Sequence, residues 1–152
     1  LKKEKIIPYK EVNKILSTID ALLIEKNITV NNLINKDLIL RTDRESFRTI
    51  FSNLLNNAIK YSPNETTIDF ISKTDKNYVT ISIKDNGYGI DKNNIKRIFE
   101  RFYRTSKARA HTKGTGLGLA LVKQLSQRIG ANVHVESIIN EGSEFFVSFD
   151  HK

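Results

Sequence analysis

The sequence predicts an α+β domain: a two-layer α/β sandwich in which a mixed, mostly antiparallel sheet packs against about three helices. Three observations carry this. Apolar residues recur at helical spacing in three stretches, within 12–23, 47–59 and 117–129. Alternating apolar positions mark strands at Ile68 and Phe70, at Val79, Ile81 and Ile83, at Val133 and Val135, and at Phe145, Val147 and Phe149. These elements come in blocks and not in strict strand–helix–strand order, which favours helices gathered on one face of the sheet.

In chain order, residues 1–10 read as a charged linker remnant and 11–152 as the domain. Val12, Ile15, Leu16, Ile19, Leu22 and Leu23 form one helical stripe. Short strands are expected around 28–33 and 38–41, with Asn-rich turns between them. Thr42-Asp43-Arg44-Glu45 reads as a capping box that starts the second helix. Its buried face is Phe47, Ile50, Phe51, Leu54, Leu55, Ala58 and Ile59. Asn53, Asn57 and Lys60 lie at i, i+4 and i+7 and share one edge of that helix. Amides are mediocre helix formers, so two of them stacked with a lysine ask for a reason, although solvent-facing or capping amides would look the same. Ser62-Pro63-Asn64 closes the helix.

Ile95, Ile98 and Phe99 suggest a short helix after the strand that ends at Asp85. A polar, basic segment follows at 104–113, without apolar periodicity and long enough to be a mobile loop. Phe99, Phe102 and Tyr103 read as packing residues that anchor its base. The third helix opens from Gly114-Thr115-Gly116-Leu117-Gly118-Leu119-Ala120. Leu117, Leu121, Val122, Leu125 and Ile129 are its expected buried face, and Gly130 its stop. The last two strands join through Asn140-Glu141-Gly142-Ser143.

Composition narrows the class. A chain of 152 residues, 39% hydrophobic and 28% charged, suits one soluble domain with a real core. No apolar run approaches the ~20 residues that span a bilayer, and no signal peptide opens the chain. With no cysteine, disulfides and thiolate metal sites are excluded, which fits a reducing compartment. The chain opens on Leu1 and contains no methionine, which points to a piece of a longer protein. Residues 92–113 hold eight basic residues and one acid, and so carry nearly all of the net charge of +8. A nucleic-acid surface, a solvated face and a polyphosphate site all fit such a patch.

Two glycine-bearing turns carry the chemistry. Asp85-Asn86-Gly87-Tyr88-Gly89-Ile90 ends a strand in a carboxylate that can accept a hydrogen bond from an amino group, and its glycines permit close backbone approach or positive φ. Asp-Asn-Gly is also an ordinary turn sequence. The Gly114–Gly118 stretch feeds a helix N-terminus, where unpaired N–H groups and the dipole favour an anion. It is neither a P-loop nor a dinucleotide fingerprint, since it lacks a Gly-Lys-Ser/Thr ending and follows a loop where a strand is needed.

Taken together, the motifs resemble those of sensor histidine kinases. Asn53-x-x-x-Asn57-Ala58-Ile59-Lys60-Tyr61-Ser62-Pro63 resembles their N box, and Asp85-x-Gly87-x-Gly89-Ile90 their G1 box. Phe99-Glu100-Arg101-Phe102-Tyr103-Arg104 resembles the F box, and Gly114-Thr115-Gly116-Leu117-Gly118-Leu119 the G2 box. Glu141-Gly142-Ser143-x-Phe145 resembles the final glycine motif. All five stand in the family's order. The chain is thereby identified as similar to the ATP-binding catalytic domain of a two-component histidine kinase, within the gyrase, chaperone, kinase and mismatch-repair ATPase superfamily.

The resemblance implies ATP and Mg²⁺ as cofactors. Asp85 would bind the exocyclic amine of adenine and so select ATP over GTP. Asn57 would offer an amide oxygen to Mg²⁺, with Asn53 beside it; a hard cation that keeps waters and phosphate oxygens suits such ligands. Lys60 and Arg104 would approach the phosphates, and with Asn57 they form the expected catalytic set. Tyr61 would lie near the base or ribose. Backbone N–H groups at Gly116, Leu117, Gly118 and Leu119 would cradle the phosphates. Gly87, Gly89, Ile90, Lys113, Gly114, Thr115 and Ser143 complete the nucleotide site, although Ser143 could simply make the last turn. The basic segment 92–113 would contain a mobile ATP lid, which explains its charge without nucleic acid.

Hydrolysing members of the superfamily, and its serine kinases, carry a glutamate four residues before the magnesium asparagine, as general base. Here that position is Asn53, which cannot take a proton. The resemblance therefore implies transfer to a histidine. His111, His134 and His151 do not stand in the acceptor's sequence context. The acceptor would sit on a dimerisation hairpin upstream of Leu1, with a response regulator downstream. The piece itself would be a monomer from a homodimeric, membrane-anchored parent, with this domain on the cytoplasmic side. A catalytically degenerate nucleotide-sensing or docking module of the same fold is the alternative, but Asp85, Asn57 and the G2 glycines are intact.

Overall fold

The computed structural model describes residues 1–104 and 117–151, apart from the side chains of Asp20 and Leu22. Among these residues the elements run, in order, β1 (Lys3–Ile6), α1 (Pro8–Thr18), α2 (Asp20–Lys26), β2 (Thr29–Leu33), β3 (Leu40–Asp43), α3 (Arg44–Lys60), β4 (Thr67–Thr74), β5 (Tyr78–Asp85), α4 (Lys92–Ile95), α5 (Gly118–Arg128), β6 (Asn132–Ile138) and β7 (Gly142–Asp150). The main sheet has the order β2-β4-β5-β7-β6. Only the β2–β4 pair is parallel; the other three ladders are antiparallel. The three longer helices, α1, α3 and α5, pack on one face. This is the expected mixed sheet in an α+β sandwich.

Strict alternation decides which face is buried. Ile68 and Phe70 of β4, Val79, Ile81 and Ile83 of β5, and Phe145, Val147 and Phe149 of β7 point into the core. Register lines them up, with Phe70 opposite Ile83 and Ile83 opposite Phe145. The intervening side chains make the polar outer face, where Ser82 donates to Glu144 at 2.7 Å and His134 stacks on Phe146 at 4.6 Å. Helix α3 closes the core from above. Its stripe is buried throughout, Phe47 packs on Phe51 at 4.6 Å and on Phe149 at 6.2 Å, and Phe51 meets Phe70 at 6.4 Å.

Several expectations are corrected. The first ten residues are not a free linker. β1 pairs antiparallel with β3, Ile6 is buried, and α1 begins with Pro8 at its first position, where a missing N–H costs nothing. The stripe within 12–23 is two helices, broken at Ile19. Ser17 and Thr18 donate their hydroxyls to the carbonyls of Lys14 and Ile15, a competition that ends α1. The α3 cap is one residue later than expected. Asp43, and not Thr42, accepts the Ser46 N–H at 3.0 Å, while Thr42 is buried in β3. The Ser46 hydroxyl, then the Lys2 and Ser46 N–H groups, pull the Asp43 carboxyl below its ordinary range. In α5 the buried positions are Val122 and Ser126, and Leu121 is exposed; Gly130 at φ +74° does stop the helix, with Ala131 N–H reaching the Ser126 carbonyl.

A charged cluster that the sequence did not announce ties α1 to α3. Glu11 sits on the buried stripe of α1, 2% exposed. It accepts from Arg44 and from Arg48 Nε, the latter at 2.6 Å, and Arg44 also reaches Glu4 at 2.9 Å. Among the described residues no helix is long and apolar enough to cross a membrane. Replacing Glu11 by Gln leaves two guanidinium groups facing a neutral amide across the α1–α3 contact. Urea unfolding at pH 7 is expected to show a loss of about 2 kcal/mol.

Candidate functional site

The site lies where β5 ends beneath the last turns of α3. Asp85 occupies the next inward position after Val79, Ile81 and Ile83, so the alternation that builds the core also carries a carboxylate into it. Asp85 is 5% exposed. Its Oδ1 accepts two backbone hydrogen bonds, from Gly87 N–H at 2.9 Å and Ser143 N–H at 3.1 Å. Burial pushes its pKa above the ordinary aspartate value, and the two N–H groups oppose that shift. The other oxygen, Oδ2, has no partner among the described residues and is not sealed from solvent. One carboxylate oxygen is fixed, and the other is left to accept a donor from outside.

The loop after Asp85 is pressed between α3 and the β6–β7 turn by its glycines. A Cβ built on Gly87 would stand 2.3 Å from the Tyr61 carbonyl oxygen. One on Gly89, which has φ +74°, would stand 2.3 Å from the Ile138 carbonyl, and one on Gly142, at φ +130°, 2.1 Å from the Asp85 carbonyl. These contacts explain why glycine is needed at the three positions. Ser137, which the sequence reading missed, locks the arrangement. Its Oγ accepts from Ile90 N–H at 2.8 Å, donates to the Gly142 carbonyl at 3.0 Å, and lies 2.8 Å from Ser143 Oγ. Ser143 thus does more than turn the chain, because its N–H aims Asp85.

Tyr88 is the second missed residue. Its ring meets the edge of Tyr61 at 5.7 Å. Burial pushes its hydroxyl well above the ordinary tyrosine range; Tyr61 adds to this, the Arg104 charge opposes it, and Asp85 adds again. Asp85, Tyr61, Tyr88 and Arg104 therefore share one electrostatic environment. A tyrosine between two turn glycines carries no periodic signal, which is why it escaped notice.

Asn53, Asn57 and Lys60 run along one edge of α3 as expected. Asn57 is half-buried and Lys60 exposed, and Lys60 is the last helical residue before the Tyr61 cap. Asn53 spends its amide Nδ2 on the Thr49 carbonyl at 2.8 Å. Its Oδ1 then faces the first turn of α5, 3.2 Å from where a Cβ on Gly118 would lie. Leu117 is the N-cap of α5 and Leu119 packs on the core. An amide oxygen beside a helix start suits a hydrated hard cation and its phosphate ligands. Among the described residues no three His, Cys, Asp or Glu side chains cluster as a metal site. Lys113, Gly114, Thr115 and Gly116, most of the expected lid, and His111 lie outside the described residues. At the near side of that segment, Phe99 packs on Phe145 at 6.2 Å, and Tyr103 donates to Asn94 at 2.5 Å. Phe102 is not a packing residue: it is 65% exposed with φ +66°.

Comparison with known proteins fits this geometry. A family model described as "Histidine kinase-, DNA gyrase B-, and HSP90-like ATPase" matches residues 42–152. The sensor histidine kinase WalK of Bacillus subtilis is 34% identical over 126 residues, 81% of this chain and 21% of that protein. The sensor histidine kinase YvrG of the same organism is 39% identical over 107 residues, 70% of this chain and 18% of that protein. The chain therefore spans about a fifth of the length of these relatives. Among solved structures, full-length ShkA in complex with AMPPNP is similar at a TM-score of 0.85 and 26% identity, over 97% of this chain and 31% of that one. The catalytic domain of histidine kinase ThkA superposes at 0.85 and 20% identity, over 99% of this chain and 97% of that one.

Substitution at the glycines separates packing from open space. Gly87→Ala is expected to cost about 2 kcal/mol in urea unfolding, because the new methyl meets backbone. Gly118→Ala, whose methyl meets among the described residues only the Asn53 side chain, should leave stability unchanged or slightly raised.

Proposed function

Because this chain belongs to the histidine kinase-, DNA gyrase B- and HSP90-like ATPase family, as the ATP-binding catalytic domain of a histidine kinase, we propose that it binds Mg-ATP and donates the γ-phosphoryl group to a histidine on a separate hairpin of its parent protein. The observation that carries this reading is the half-satisfied Asp85 carboxylate at the floor of the site. Its Oδ2 accepts from the exocyclic amine of adenine; a guanine presents a carbonyl oxygen there and is refused. The base lies against Gly87 and Gly89, with the Tyr61 and Tyr88 rings to one side. The phosphates run toward the N-terminus of α5, where backbone N–H groups meet them. Lys60 and Arg104 face the charge that develops during transfer, and Asn57, with Asn53 beside it, offers amide oxygens to Mg²⁺.

When bound, Mg²⁺ supplies charge neutralisation at the phosphate oxygens. A ring nitrogen of the acceptor attacks the γ-phosphorus in line, the bond to the β–γ bridging oxygen breaks, and ADP leaves with its electron pair. A neutral imidazole brings its own lone pair, so the step needs no general base from this domain. Asn53 agrees with that: it can take no proton, and its amide is already tied to Thr49. In this reading the catalytic domain takes in β1 and the start of α1 together with residues 11–152. A response regulator then receives the phosphoryl group from the histidine. The piece is monomeric, and its parent is a homodimer anchored in a membrane with this domain on the cytoplasmic side.

Calorimetric titration tests the reading. The chain should bind ATP with Mg²⁺ and ignore GTP, and Asp85→Asn should lose ATP binding. No binding at millimolar ATP by a folded chain would sink it. Urea unfolding of Asp85→Asn separates loss of binding from loss of fold. The folded-state pKa of Asp85 is raised above 3.8, so its favourable contribution is present below that value and lost as pH rises through the raised one. Asp85→Asn should therefore be at least as stable as the parent chain at pH 7, with that advantage shrinking on acidification.

A further inference from the structure

The last turn of α3 is held by a residue from another element. Lys26, at the end of α2, places its Nζ 2.6 Å from the Ile59 carbonyl, 2.7 Å from the Ser62 carbonyl and 3.5 Å from the Lys60 carbonyl. One ammonium thus meets three carbonyls at and just beyond the C-terminus of α3, at the negative end of its dipole, and that of Ile59 also accepts the Ser62 N–H at 3.4 Å. The same residue is tied at its backbone, since its carbonyl accepts the Glu65 N–H at 3.0 Å. Asn27, in the left-handed region, turns the chain from α2 into β2 and lets Thr29 N–H reach Thr66. The 61–66 turn is therefore clamped to the end of α2 from both sides.

That turn is also one wall of the nucleotide site. Tyr61 presses its carbonyl against Gly87 and its ring edge against Tyr88, and Gly87 in turn donates to Asp85. We propose that Lys26 is a positioning residue for the nucleotide site: its ammonium fixes where α3 ends, and so sets Lys60, Tyr61 and, through the Tyr61–Gly87 contact, the loop that aims Asp85. The inference rests on the nucleotide-binding reading above. Among the described residues Lys26 meets the site only at main-chain carbonyls, and so acts through the turn it holds. Burial holds its ammonium below the ordinary lysine range. The body of α3 is fixed independently by Phe47, Phe51, Leu54 and Leu55, all 0% exposed, so loss of the clamp should loosen the turn and leave the fold standing.

The test compares the full chain with Lys26→Met, which keeps the stem and removes every donor, and with Lys26→Arg, which restores charge and donors. Two readouts are taken: ATP affinity by calorimetry, and the Gly87 amide resonance in the nucleotide-free chain. Lys26→Met should bind ATP about tenfold more weakly and shift the Gly87 resonance. Lys26→Arg should recover most of both. A folded Lys26→Met with unchanged affinity and an unmoved Gly87 resonance overturns the inference and leaves the nucleotide reading intact. A wild-type chain that ignores ATP sinks both. Should Lys26→Met not fold, Lys26→Gln is read by the same criteria.

Discussion

A buried carboxylate is the constraint to which the rest of the site answers. Strand alternation would ordinarily put an apolar residue after Ile83, and the chain puts Asp85 there instead. An ion in that place is costly unless hydrogen bonds meet it. Two of the surrounding features serve that need: the Gly87 N–H from its own loop, and the Ser143 N–H from the start of β7. Both arrive only because glycines let three backbone segments approach within contact distance. The cost is accepted incompletely, since only Oδ1 is satisfied. A core built for stability alone would have closed the second oxygen too.

The same contacts explain how two distant parts of the sequence make one binding surface. One side is built from β5, its loop and the β6–β7 turn, with Ser137 as the bolt. The other is built from one edge of α3 and the first turn of α5. Tyr61 belongs to both, because it ends α3 and lies on Gly87. A disturbance at either side therefore reaches the other through a single turn of backbone and not through a long relay. The Glu11–Arg44–Arg48 cluster fixes the opposite end of α3, so the helix is anchored by charge near both ends and by aromatic packing between.

Legibility in the sequence followed periodicity. The α3 stripe and the inward faces of β4, β5 and β7 could be read because each repeats a period several times. β1 could not, since Lys3-Glu4-Lys5-Ile6 has one apolar residue and finds its partner some forty positions away. Glu11 was hidden by its charge. It occupies a stripe position beside Val12, where only knowledge of Arg44 and Arg48 would allow a carboxylate. The Thr42 and Asp43 cap differed by one residue because both are good caps, and pairing with β1 took Thr42 into the sheet. In α5 the expected face held at Val122, Leu125 and Ile129; Leu121 at its edge is exposed, and Ser126, polar and so without an apolar signal, is buried beside them. At the site, Asp85 and the α3 amides were legible as motifs. Tyr88, Ser137 and Lys26 were not, because each acts through a contact between elements remote in sequence.

The central β5–β7 ladder has a consequence for how such a domain can change over time. It joins Tyr78–Asp85 to Gly142–Asp150 and so encloses residues 86–141 as a single closed excursion. Closing a loop already that long is an entropic cost that grows only with the logarithm of its length, so inserting a further dozen residues adds about 0.2 kcal/mol. Sequence inside that excursion can therefore change in length at little expense to the ladder that closes it.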